Sequence, residues 1–206
     1  AKSSESITDR DLVMVVQTNI LYSEGLNIQQ RQYVDNTSYK DEWLFSVLDD
    51  YPEILLGFQV PSTTFSIQCI GSLAQGTEWN SLIQESAAAW NNTVGTNITV
   101  TSSSTSVYTC TVDSFYDDDW YGLTTSHFSN GITVKAEIQI NARTCSNSDT
   151  TRKSTITHEI GHLLGLNDNP PIGANYSLMN HDRNRDTVYV PQPYDISNVK
   201  YIYEIE

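Results

Sequence analysis

The spacing of two histidines constrains this chain more than any other feature. His158 and His162 stand four residues apart, with Glu159 beside the first, in the stretch Thr157-His158-Glu159-Ile160-Gly161-His162-Leu163-Leu164-Gly165-Leu166-Asn167-Asp168. Positions i and i+4 of an α-helix lie one above the other on one face, so both imidazoles can reach a single metal ion. Glu159 is turned about 100° from His158 by the helical period, close enough to hold a water at that metal without being a ligand. Catalytic zinc takes three protein ligands and keeps a fourth position for water, so the two imidazoles need a third partner. Gly165 offers the means to supply it, because glycine adopts positive φ at little cost and can end the helix in a turn back toward the metal. Asp168 is the first ionisable side chain after that turn, and a carboxylate oxygen binds zinc at distances like those of an imidazole nitrogen.

The helix around these residues is well specified. Ser148 or Asp149 can cap its start, and Ile156, Ile160, Leu163 and Leu164 recur at i, i+4, i+7 and i+8. That apolar stripe faces a core and leaves the histidines on a neighbouring strip. A buried helix with two hydrogen-bonded core histidines would need neither Glu159 nor the glycine and carboxylate that follow.

At 206 residues the chain suits one domain, or one domain with an appendage. Its formal net charge of -14 repels phosphate and argues against nucleic acid or an acidic membrane as partner. Only 11 Lys and Arg among abundant Ser, Thr and Asn suggest an extracytoplasmic protein, secreted or anchored at a cell surface. No apolar run approaches the roughly 18 residues of a membrane span, and no signal peptide stands at the start, so a mature or truncated form is expected. The three cysteines, Cys69, Cys110 and Cys145, are too few for a disulfide scaffold. A Cys110 to Cys145 bridge and three buried thiols are both open.

Residues 1 to 58 differ from the rest. Leu12 to Val16 could be strand or helix, whereas Trp43, Leu44, Val47 and Leu48 recur at helical spacing within Asn27 to Tyr51. The reading is an N-terminal helical appendage, either a prosegment over a cleft or a segment packed on a catalytic domain of residues 59 to 206. Residues 62 to 71 alternate as a strand, Glu78 to Asn91 carries a helical apolar stripe, and Asn97 to Ser103 and Val107 to Val112 alternate again. Strand, helix, strand, strand is the order of an α+β or α/β layer on a twisted sheet. Asp117, Asp118 and Asp119 could hold calcium, but adjacent carboxylates are more often a solvated charge run. His127 reads as a plain surface histidine or a cleft residue. Asn130-Gly131 signals a hairpin before Ile132 to Asn141. Val134 to Asn141 is either the sheet edge, to which an extended peptide could add through main-chain hydrogen bonds, or an ordinary internal strand.

After a Pro170-Pro171 loop comes Ser177-Leu178-Met179-Asn180-His181, with one of only two methionines 17 residues beyond His162. Together, His158-Glu159-Ile160-Gly161-His162, Gly165, Asp168 and Met179 resemble the metzincin metallopeptidases, which pair an extended HExxHxxGxx(H/D) motif with a methionine turn. Aspartate in third place resembles snapalysin-type members, and the HEIGH string resembles bacterial metallopeptidases bearing it. The resemblance runs from about Thr63 to the C-terminus. It implies a metzincin-like α+β catalytic domain with a mostly parallel twisted sheet, an antiparallel edge strand, an active-site helix and a C-terminal helix. It further implies zinc held by His158, His162 and Asp168, with Glu159 as general base and Met179 beneath the metal.

Two departures carry chemical consequences. Where many members have a tyrosine two residues after the methionine, this chain has His181, which could serve an oxyanion, touch the metal or face solvent. An aspartate ligand leaves the metal less electrophilic than a third histidine would, so water there is less acidified. The implied reaction is hydrolysis of peptide bonds in a protein or peptide substrate, by a monomer. Residues 182 to 193, including Arg183, Tyr189 and Pro191, are expected to wall the primed-side pocket. The rival is a zinc-containing binding protein without turnover, its cleft covered; Glu159 favours the enzyme. A third reading makes the N-terminal segment an inhibitor, with Cys69, Asp49 or Asp50 capping the metal.

Overall fold

The computed structural model describes residues 55–206 except 146, 147, 169 and 171, together with the backbone of three strands before residue 36. Those strands are β1 (Val13–Met14), β2 (Leu21–Ser23) and β3 (Leu26–Asp35). Then follow β4 (Thr64–Ile70), a short helix α1 (Gly71–Gln75), α2 (Thr77–Val94), β5 (Asn97–Thr101) and β6 (Tyr108–Asp113). The hairpin strands β7 (Gly122–Ser129) and β8 (Ile132–Asn141) precede α3 (Asp149–Leu163) and, after a long connection, α4 (Pro193–Tyr203).

The strands form one mixed sheet in the order β1-β3-β7-β8-β6-β4-β5, with β2 also on β3. β5, β4, β6 and β8 run parallel to their neighbours, and β7 lies antiparallel on β8 as the edge of that parallel set. The mostly parallel sheet with an antiparallel edge is therefore present. Parallel neighbours need a crossover, and α2 provides it between β4 and β5. The β7–β8 turn is the two residues Asn130 and Gly131, at φ 50° and 77°, the pair of positive φ values that lets a two-residue turn match strand twist.

Alternation on the strands buries Ile67, Cys69, Ile98, Cys110, Val112, Ile138 and Ile140. Trp79, Leu82, Ile83, Ala87 and Trp90 of α2 and Ile156, Ile160 and Leu163 of α3 complete this core. The two helices are joined by polar contacts as well: the Trp90 indole N–H donates to the Thr157 carbonyl at 2.9 Å, in the turn that carries His158.

One open reading is decided and one expectation is corrected. Val134 to Asn141 is not the edge: β8 is sandwiched between β6 and β7, and the edge of the parallel set is β7, because the tight Asn130-Gly131 turn folds the preceding strand onto its outer side. The described part of the N-terminal appendage is strand rather than helix, since residues 26–35 pair with β7; Trp43, Leu44, Val47 and Leu48 lie outside the described residues. Leu56 and Phe58, placed with that appendage, are buried, and the Phe58 ring stacks on Phe128 at 3.8 Å.

The three cysteines are buried thiols. Cys69 and Cys110 are register partners on β4 and β6, while Cys145 Sγ lies 3.5 Å from Thr155 Oγ1. The Asp117 to Asp119 loop wraps a guanidinium: Arg143 donates to the carbonyls of Tyr116, Asp117 and Asp118 at 3.1, 3.2 and 2.6 Å. Among the described residues, no helix is long and apolar enough to cross a membrane.

Candidate metal centre

α3 begins where the Ser148 hydroxyl accepts the Thr151 amide at 3.1 Å, satisfying one of the donors a helix leaves bare at its start. It ends at Leu163, and Gly165 follows at φ 97°. A Cβ there would also meet Gln59, Ile202 and the Phe58 carbonyl, so both backbone conformation and space demand glycine. The turn brings Asp168 back over the helix. Its Oδ1 lies 2.9 Å from His158 Nε2 and 3.2 Å from His162 Nε2.

Each imidazole is oriented from behind. His158 Nδ1 is 2.9 Å from the Leu178 carbonyl and His162 Nδ1 is 2.8 Å from the Leu166 carbonyl. A carbonyl only accepts, so each Nδ1 carries the proton and each Nε2 is aimed at Asp168. The rings are nearly perpendicular, at 88°. Burial alone would push the His162 pKa down, but the Asp168 carboxylate overrides this and lifts it to about 9. Burial would likewise raise Asp168, yet the His162 charge and the hydrogen bonds from both imidazoles hold it well below the usual carboxylate range.

Two imidazole nitrogens and a carboxylate oxygen meeting at one point form a donor set suited to zinc. A divalent cation among them would supply the positive charge that Asp168 otherwise draws onto His162. His158, Glu159 and His162 also offer ligand atoms all within 4.8 Å of one another.

Glu159 points from α3 toward β7. The Thr124 hydroxyl donates to its Oε2, and Gly122 lies so close that a Cβ there would stand 2.7 Å from Oε1. Neither Gly122 nor Thr124 was legible as a site residue in the sequence, because both are brought in by strand pairing rather than by motif. Met179 packs under the helix: a Cβ on Gly161 would be 2.7 Å from its sulfur, so the glycine between the two histidines is what admits the methionine. The turn carrying Met179 is held by Asp195, at the start of α4, whose carboxylate accepts from Ser177 Oγ at 2.6 Å, Leu178 N at 2.7 Å and Gln192 N at 2.8 Å.

His181 is 1% exposed, so it does not face solvent, and its charge reaches Asp168. Arg183 is not free to line a pocket. It is buried and donates to Ser154 Oγ at 3.0 Å and to the Asn180 carbonyl at 3.1 Å, bracing the connection against α3. The Tyr189 ring lies under Lys153 at 5.3 Å. His127 is half-buried on β7 beside Lys135; burial first, then the lysine charge, lower its pKa. Cys69 sits in the core and accepts from Asn80 at 3.7 Å, which removes it as a metal cap. Asp49 and Asp50 lie outside the described residues.

No protein-family model matches the chain, and no curated protein matches its sequence. Among solved structures, one described as "Structure of myroilysin" aligns with 73% of this chain and 97% of its own, at a TM-score of 0.49 and 13% sequence identity. The functional reading therefore rests on the residues of the site.

Proposed function

We propose that this chain is a zinc-dependent endopeptidase, of a bacterial type that is secreted or anchored at the cell surface. The observation that carries the proposal is the meeting of His158 Nε2, His162 Nε2 and Asp168 Oδ1 beside a buried Glu159. The acidic surface, at a net charge of -14, and the scarcity of Lys and Arg support the extracytoplasmic placement.

A zinc ion held by His158, His162 and Asp168 would polarise a peptide carbonyl and make a water molecule acidic enough to be deprotonated near neutral pH. Glu159 is the general base. It takes a proton from the attacking water as the water oxygen bonds to the carbonyl carbon, then delivers that proton to the amide nitrogen as the C–N bond breaks. The products are a carboxylate and an amine. Thr124 fixes the Glu159 carboxylate in place, so little reorganisation is needed when the proton moves. His181, buried and acting electrostatically on Asp168, would donate a hydrogen bond to the developing oxyanion.

The test is cleavage of unstructured casein by the purified chain before and after treatment with a chelator. Cleavage that the chelator abolishes and one equivalent of zinc restores is the expected result. Cleavage indifferent to the chelator would contradict the proposal.

A further inference from the structure

We infer that Cys69 and Cys110 are a built-in disulfide pair, which joins β4 to β6 inside the core when the chain meets an oxidant that itself carries a disulfide. Neither residue takes part in the proposed hydrolysis, so the pair stands or falls apart from the peptidase reading. Cys69 and Cys110 are direct register partners on neighbouring parallel strands. Both side chains are 1% exposed and belong to one core cluster, with Ile67 and Val112 of the same two strands. Register partners on adjacent strands are about 4.7–4.9 Å apart and send their side chains to one face, and a disulfide spans Cα atoms about 4.4–6.8 Å apart. The bond can therefore close without taking either strand out of the sheet. Cys145 has another place: its Sγ lies 3.5 Å from Thr155 Oγ1 and 3.9 Å from the Thr151 carbonyl, both on α3.

The surroundings set the order of events. Asn80 on α2 donates its side-chain N–H to Cys69 Sγ at 3.7 Å, which favours the thiolate against the burial that raises its pKa. Burial pushes the Cys110 thiol up strongly, and the charges of Cys69 and Glu159 push the same way. Cys69 therefore reacts first. Its thiolate attacks one sulfur of the oxidant, forming a mixed disulfide and expelling the other sulfur as a thiolate. Cys110 then loses its proton and attacks Cys69 Sγ, which closes the bond and expels the remaining half of the oxidant. The two cysteine protons pass to the two departing thiolates, and the two electrons that leave the cysteines reduce the oxidant's disulfide to two thiols.

α1 is the part that has to lift for this to happen in the folded chain. It follows Cys69 almost directly, is five residues long, lies close to β6 and begins at Gly71 with φ 83°. A helix so short has little stability of its own, so it opens without the sheet unfolding. Once closed, the bond ties together the two ends of a loop that contains α1, α2 and β5. That restricts the unfolded chain and makes the linked form harder to unfold. α2 is inside the loop, and its Trp90 indole holds the Thr157 carbonyl next to His158, so the bond braces the frame behind the candidate metal centre.

The experiment uses the full folded chain, purified with its thiols reduced, and the same chain with Cys145→Ala. Oxidised glutathione is added in plain buffer and, separately, in denaturant below the unfolding midpoint, which promotes local opening. Remaining thiols are then counted after complete denaturation, and the peptides are mapped by mass spectrometry. The expected result is loss of two of the three thiols in at least one condition, with Cys69 and Cys110 recovered in one cross-linked product and Cys145 recovered as a thiol. Cys145→Ala should lose both of its thiols under the same condition, and the oxidised natural chain should unfold at higher denaturant than after reduction. Retention of all three thiols in both conditions would overturn the inference. So would a bridge that includes Cys145, a glutathione left on Cys69, or a bridged chain that unfolds no later than the reduced one.

Discussion

The Thr124 hydroxyl on β7 donates to the carboxylate of Glu159 on α3, joining the sheet to the proposed general base. The contact fixes one oxygen of a buried carboxylate, and a carboxylate that accepts a hydrogen bond turns less freely. Thr124→Val removes the donor while keeping the shape. Hydrolysis should fall by about tenfold to a hundredfold in kcat, with KM and zinc content unchanged, and Thr124→Ser should restore most of it. Steady-state kinetics with metal analysis on the three forms checks this.

Gly122 is required by space rather than by backbone freedom. A Cβ there would lie 2.7 Å from Glu159 Oε1 and 2.9 Å from Thr155 Cγ2. Gly122→Ala should displace the base, lowering kcat at least tenfold, and cost about 1–3 kcal/mol from overpacking. Denaturant unfolding beside the kinetic assay separates the two effects.

Asp195 acts on the metal from a distance. It holds the Leu178 amide, and the Leu178 carbonyl holds His158 Nδ1. Asp195→Asn sets an amide donor against donors, so about 1–3 kcal/mol of stability should be lost. Zinc affinity should weaken by about tenfold to a hundredfold, the usual consequence of losing a partner behind a ligand. Competition with a zinc-binding dye measures it.

The His162 and Asp168 pair predicts a pH signature for protein stripped of metal. The His162 pKa, 6.5 in the ordinary case, is raised to about 9, so its stabilisation is complete below 6.5 and disappears as pH rises through about 9. Asp168 is depressed below its ordinary 3.8, so its share is present above that value and lost on acidification. Metal-stripped protein should therefore melt highest between about pH 4 and 6.5 and lose stability from there to pH 9. Zinc addition at pH 7.5 should expel about one proton as it displaces the charge on His162. Melting curves across pH and proton release in weak buffer test the two halves.

What the sequence made legible was local. The helix period puts His158 above His162, positive φ at Gly165 brings Asp168 back, and the Ser148 cap and the Asn130-Gly131 turn are read from a few adjacent residues. What it hid depends on which strands become neighbours. β8 alternates as an edge strand would, but only the folding of β7 onto its outer side makes it internal. Gly122 and Thr124 precede Glu159 by more than 30 residues and carry no motif of their own. The strand at 26–35 was hidden similarly, because its partner is an edge created about a hundred residues later.

The most direct test of the central claim is zinc content and casein cleavage measured together for the natural chain and for Glu159→Ala. The account predicts one zinc per chain in both and cleavage by the natural chain alone. Equal cleavage by the two, or a natural chain that binds no zinc, would contradict it.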